Sequence, residues 1–101
     1  MTKLVNPFAV ELTPDGPGVR SAVLHSDGAV ERGIWEIDPG VVEDVEADEL
    51  FVVHSGHATV TFLGRAEEWD LVPGFVGLFT AGEQTRWTVH SRLRKTYQIT
   101  R

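Results

Sequence analysis

Five acidic side chains, Glu43, Asp44, Glu46, Asp48 and Glu49, crowd into seven positions directly before the apolar run Leu50-Phe51-Val52-Val53. Carboxylates at that density can share a proton, hold a hard cation or take an ion-pair partner from another element, and which they do depends on which of them turn inward. On a strand, alternate side chains face opposite sides. If Glu49 points to an interior, Phe51 and Val53 accompany it, and Glu43, Val45 and Ala47 fall on the same face. Asp44, Glu46 and Asp48 then fall on the other face, where a run of charge is ordinarily solvated. Near the C-terminus Leu93, Lys95, Tyr97 and Ile99 share a face by the same rule. If that face is interior, Lys95 can pair with Glu49 or Glu43 as an internal salt bridge, and this is the favoured reading. The functional alternative gives Glu49, Lys95 or Tyr97 an acid-base role.

The elements that must position these groups are short strands. Turn signals recur at Asp27-Gly28, Pro39-Gly40, Ser55-Gly56, Leu63-Gly64, Pro73-Gly74 and Ala81-Gly82, and the segments between them are rich in Val, Ile, Phe, Trp and Thr. That pattern predicts an all-β sandwich or barrel, with strands near 19–24, 30–37, 41–46, 49–54, 57–63, 69–72, 75–80, 84–90 and 93–100. No segment has sustained helical periodicity. Residues 1–18, punctuated by Pro7, Pro14, Gly16, Pro17 and Gly18, read as an arm, and residues 19–101 as a single barrel. Within the arm Phe8, Val10 and Leu12 alternate as a short edge strand would.

The 101 residues suffice for one core, and their 42% hydrophobic and 24% charged content is ordinary for a globular chain. There is no apolar run of membrane-spanning length and no secretory leader pattern at the N-terminus, so the cytoplasm is the expected compartment. No cysteine is present, which excludes disulfides and thiolate metal sites. The net charge of −6 argues against a nucleic-acid partner, because such binding needs clustered Lys and Arg.

A framework of residues in order, Gly33, Trp35, Glu36, Pro39-Gly40, Asp48-Glu49-Leu50-Phe51, Ser55-Gly56, Pro73-Gly74, Ala81-Gly82, Thr85, Trp87 and Leu93 to Ile99, resembles the cupins, the double-stranded β-helix family of jelly-roll barrels. It is most similar to the small single-domain branch that includes the C-terminal barrel of ureidoglycine aminohydrolase and the ethanolamine-utilisation cupins. Glu49 and Gly56 have the spacing that ends the family's first motif, and Gly74 opens the second. The resemblance puts the family's four metal positions at Glu43, Val45, Glu49 and Thr85, with no histidine among them. Transition-metal centres want imidazole nitrogens plus a carboxylate, so the expectation is a degenerate site without a metal cofactor. A calcium or magnesium ion on Glu43, Glu49 and water is a less favoured option.

Thr85 and Trp87 share a face, and Trp35 is expected to border the same barrel mouth. The tryptophans either fill the core or wall a small-molecule pocket whose polar groups are Glu43, Glu49 and Thr85. His25, His54, His57 and His90 are expected outside or in turns, without a ligand pair. Leu50 and Val52 fall outward together, which fits packing under the arm or a homodimer interface. The expected function is metal-independent binding of a small metabolite in the barrel. The alternatives are an enzyme acting on a ureide-like or sugar-like metabolite, which the resemblance implies, and a dimeric interaction module.

Overall fold

A computed structural model describes residues 2–101. The chain forms strands β1 (Thr13–Pro14), β2 (Val19–Ser26), β3 (Val30–Ile37), β4 (Gly40–Val45), β5 (Asp48–Phe62), β6 (Glu67–Leu71), β7 (Val76–Phe79) and β8 (Gln84–Thr100), and the described residues include no helix. All pairings are antiparallel, and the hydrogen-bonded path runs β1-β2-β3-β8-β5-β6, with β4 added to β8 and β7 to β5.

The two long strands close the barrel. The C-terminal half of β8 lies between β3 and the start of β5, while its N-terminal half lies between β4 and the end of β5. β5 likewise takes β7 along its first half and β6 along its second. Each long strand therefore serves both halves of a jelly-roll barrel, bending where the β5–β8 register shifts between Val53 and Ala58. The sequence suggests four strands here, 49–54, 57–63, 84–90 and 93–100, because Ser55-Gly56 looks like a turn. It is a bulge, which bends a strand without ending it. Gly56 has φ +90°, and a Cβ there would collide with the Arg92 backbone of β8, so the crossing strands can approach only with glycine at this position.

Inside, Phe51, Val53, Val60, Phe62, Leu71, Phe79, Trp87, Val89 and Leu93 form one buried cluster drawn from both halves. Aromatic rings fill the interior between Phe62 and Trp87: Trp69 stacks on Phe79 at 5.3 Å, and Phe79 lies 5.2 Å from Phe51 and 6.2 Å from Trp87.

The N-terminal arm differs from the edge strand expected around Phe8 and Val10. Asn6 instead folds residues 6–10 into a turn, its carbonyl accepting from the Ala9 and Val10 amides and its side chain from the Phe8 amide. Such local side-chain bonding competes with a sheet ladder. Arg94 ties the arm down by donating to the Pro7 carbonyl at 2.8 Å, and Phe8 packs edge-on against His54. Ile34, 1% exposed but outside the interior cluster, lies on the face that the arm approaches. Leu50, expected under the arm as one option, remains exposed.

Candidate functional site

At the mouth of the barrel lies a cavity of 240 Å³. Register places its groups: Trp35 is opposite Lys95, Glu31 opposite Ile99, and Trp87 of β8 opposite Val42 of β4, whereas Thr85, opposite Asp44 and expected in the pocket, is fully buried and outside the lining. Residues directly opposite in an antiparallel pair share a face, so inward rows of three strands, β3, β4 and β8, converge there.

Lys95 lies at the base of the cavity. Its Nζ donates to Glu49 Oε2 at 2.7 Å, and both side chains are only 6% exposed. The same ammonium sits 4.5 Å from the ring centre of Trp35, 4.8 Å from that of Phe51 and 5.0 Å from that of Trp87. A desolvated cation gains from both the carboxylate and the ring faces. The internal salt bridge read from face sharing is therefore present, with Glu49 as the partner.

Glu43 is not part of it. The expectation that Glu43 and Val45 share the interior with Glu49 is overturned: Glu43 is exposed and takes two hydrogen bonds from Arg86, and Val45 is 64% exposed. The reason is the corner between β4 and β5. Inward residues alternate along β4 as Val42 and Asp44, and Glu46 continues the series. Then Glu46 and Ala47 leave the ladder, the Glu46 amide donating to the Glu83 carbonyl and the Gly82 amide to the Glu46 carbonyl. The inward positions on either side of the corner, Glu46 and Glu49, are thus an odd number apart, and alternation counted back from Glu49 is off by one.

Glu46, assigned to solvent by that count, is 7% exposed and lines the cavity. Its Oε2 accepts from Thr85 Oγ1 at 2.6 Å and from Trp87 Nε1 at 3.0 Å. Burial pushes its carboxyl above the usual carboxylate value, against those two bonds and the charge of Lys95. No sequence motif marks Glu46; only the corner geometry reveals it.

Tyr97 reaches past Gly33, where a Cβ would lie 2.7 Å from its hydroxyl, and donates to Glu31 Oε2 at 2.6 Å. Burial, then this bond to Glu31, holds the phenol well above its ordinary value, so Tyr97 acts as a fixed donor rather than a proton acceptor. Glu31 is held below the usual carboxylate value by the bond from Tyr97 and by Arg101. Asp15 and Asp44 complete the acidic wall.

The donor set does not fit a transition metal. No group of three His, Asp or Glu side chains is placed to hold a metal ion among the described residues, and an ammonium already sits on Glu49. The histidines lie away from the cavity: His54 is bonded to Thr96, while His57 and His90 come together on an outer face, ring centres 4.6 Å apart, with Asp70 bonded to His57.

The chain matches the model of the EutQ-like cupin domain over residues 24–97, and it belongs to that family. A comparison with curated protein sequences gives no match. Among solved structures, the Clostridium difficile EutQ protein is 17% identical, with a TM-score of 0.70 over 81% of this chain and 67% of that one. A Rhizobium leguminosarum protein of unknown function is 16% identical, with a TM-score of 0.81 over 99% and 97%. KdgF from a Halomonas species is 14% identical, with a TM-score of 0.75 over 100% and 96%. At these identities the likeness concerns the fold alone.

Proposed function

We propose that this cupin binds a small hydroxyl- or amine-bearing metabolite in the mouth cavity, without a metal. The observation that carries the reading is the composition of the wall: Asp15, Glu31, Asp44, Glu46 and Glu49 face the space with Lys95 as the one cation of the lining. Such a wall accepts hydrogen bonds and repels phosphates and carboxylates. At 240 Å³ the space is below the range of about 300–1,000 Å³ usual for drug-sized ligands, which suits a compact metabolite. Trp35 and Trp87, ring centres 5.6 Å apart, supply the apolar side.

Ligand binding to the native state raises its apparent stability. Thermal unfolding across a panel of ureides, amino acids, sugars, simple amines and organic acids, each with and without chelator, is therefore the test. The expected result is a rise for hydroxyl- or amine-bearing compounds that chelator does not alter. No rise with any compound, or rises only without chelator, would sink the proposal. An enzyme acting on a ureide-like or sugar-like metabolite would use the same cavity, and turnover of a stabilising compound is its signature.

A second reading rests on the outer face of β5 and β7, where Leu50, Val76 and Leu78 are 44%, 64% and 69% exposed beside Phe75. A contiguous apolar patch on one sheet is a typical association surface, and we assign it to a homodimer.

A further inference from the structure

Glu46 is a buried carboxylate with no cation bonded to it. Every other acid in the barrel's lower exposure range is paired: Glu49 with Lys95, Glu36 with Arg20 and Arg94, and Glu31 with Arg101. Glu46 receives only the neutral donors Thr85 and Trp87, both on Oε2; Oε1 takes no hydrogen bond among the described residues and, since no buried side-chain oxygen there lacks a partner, it opens onto accessible space. A buried charge ordinarily requires a partner. Since Glu46 lines the cavity, its free Oε1 is open to a cation placed there.

The protein also shows how its interior holds an alkylammonium. Lys95 is one, seated on Glu49 among Trp35, Phe51 and Trp87. Trp87 belongs to both settings, since its ring walls the Lys95 ammonium while its indole N–H fixes Glu46. The carboxylates of the wall outnumber its ammonium five to one, with Arg101 offsetting Glu31 from outside the lining. A second organic cation is therefore electrostatically favoured despite Lys95.

We propose that the cavity takes a small aliphatic amine whose ammonium donates to Oε1 of Glu46. This rests on the cavity reading above and narrows it. Asp44 from β4, Glu49 from β5, Glu31 from β3, Asp15 from the arm, and Lys95 and Tyr97 from β8 all face the same space and set its field. Glu46 is the mostly buried carboxylate among them that has no bonded cation.

Three probes of similar size, each with three carbons, n-propylamine, n-propanol and propionate, separate charge from shape. In thermal unfolding and in calorimetric titration of the whole chain at about pH 8, propylamine is expected to bind, with propanol weaker and propionate silent. As pH falls through the raised pKa of Glu46, its carboxyl gains a proton and loses its charge, so propylamine affinity should fall while the amine itself stays protonated. Glu46→Gln keeps an oxygen for Thr85 and Trp87 but should weaken propylamine about tenfold or more and flatten that pH dependence. Asp44→Asn, at an exposed position on the same wall, is the control for general acidity and should have the smaller effect. Propanol binding as well as propylamine would overturn the amine proposal and leave the cavity reading standing, as would propylamine binding that survives Glu46→Gln, whereas propionate binding as well as propylamine would contradict both. Silence across the whole ligand panel would remove both. The probe series is read on the unmodified chain, so it decides the question even if a variant fails to fold.

Discussion

Lys95 and Glu49 together occupy the centre of the barrel, and their pairing gives a direct energetic expectation. Lys95→Met leaves the Glu49 carboxylate buried without its cation, which should destabilise the fold by about 3–5 kcal/mol in urea unfolding. Replacing both, as Lys95→Met with Glu49→Leu, removes both desolvation costs and should recover most of that loss. A double variant as unstable as the single one would show that the pair is not the compensating unit described. The pair was legible in the sequence because Leu93, Lys95, Tyr97 and Ile99 and Glu49, Phe51 and Val53 obey strict alternation on uninterrupted stretches of β8 and β5. Glu46 was not legible, because its direction depends on two residues that leave the ladder at the β4–β5 corner and are held by backbone bonds to Glu83 and Gly82. Alternation is reliable within a strand and carries no information across a corner.

At the scale of elements, regular Gly-containing turns and β-branched segments announced every strand except the two-residue β1, yet not where the strands join. Ser55-Gly56 has the composition of a turn and the geometry of a bulge, and only the approach of the Arg92 backbone distinguishes them. The outward position of Leu50 followed from Glu49 by simple parity, but what surrounds it came from β7, which pairs Leu78 with Leu50 across the ladder and lays two exposed apolar side chains next to each other. If this face joins two copies, the chain should sediment as a dimer at micromolar concentration and Leu78→Asp should sediment as a monomer with unchanged circular dichroism. A monomeric wild-type chain would contradict that assignment. The arm borders the same outer face of β5, because His54, against which Phe8 packs, alternates with Leu50 and Val52, yet it leaves Leu50 exposed.

At the scale of the whole molecule, the chain keeps the family scaffold and carries a Lys95–Glu49 pair inside it. The family model covers residues 24–97, the glycine-containing turns other than Ser55-Gly56 fall where the sequence places them, and the interior is filled by aromatic rings up to a small acidic space. An ammonium fixed on Glu49 repels a divalent ion from that carboxylate, and His57 and His90, the histidines brought together among the described residues, lie on the outer face. Elemental analysis of the protein purified without chelator tests this most directly. Transition metal is expected far below one atom per chain, in the wild type and in Glu49→Ala alike. Metal near one atom per chain that disappears in Glu49→Ala would contradict it.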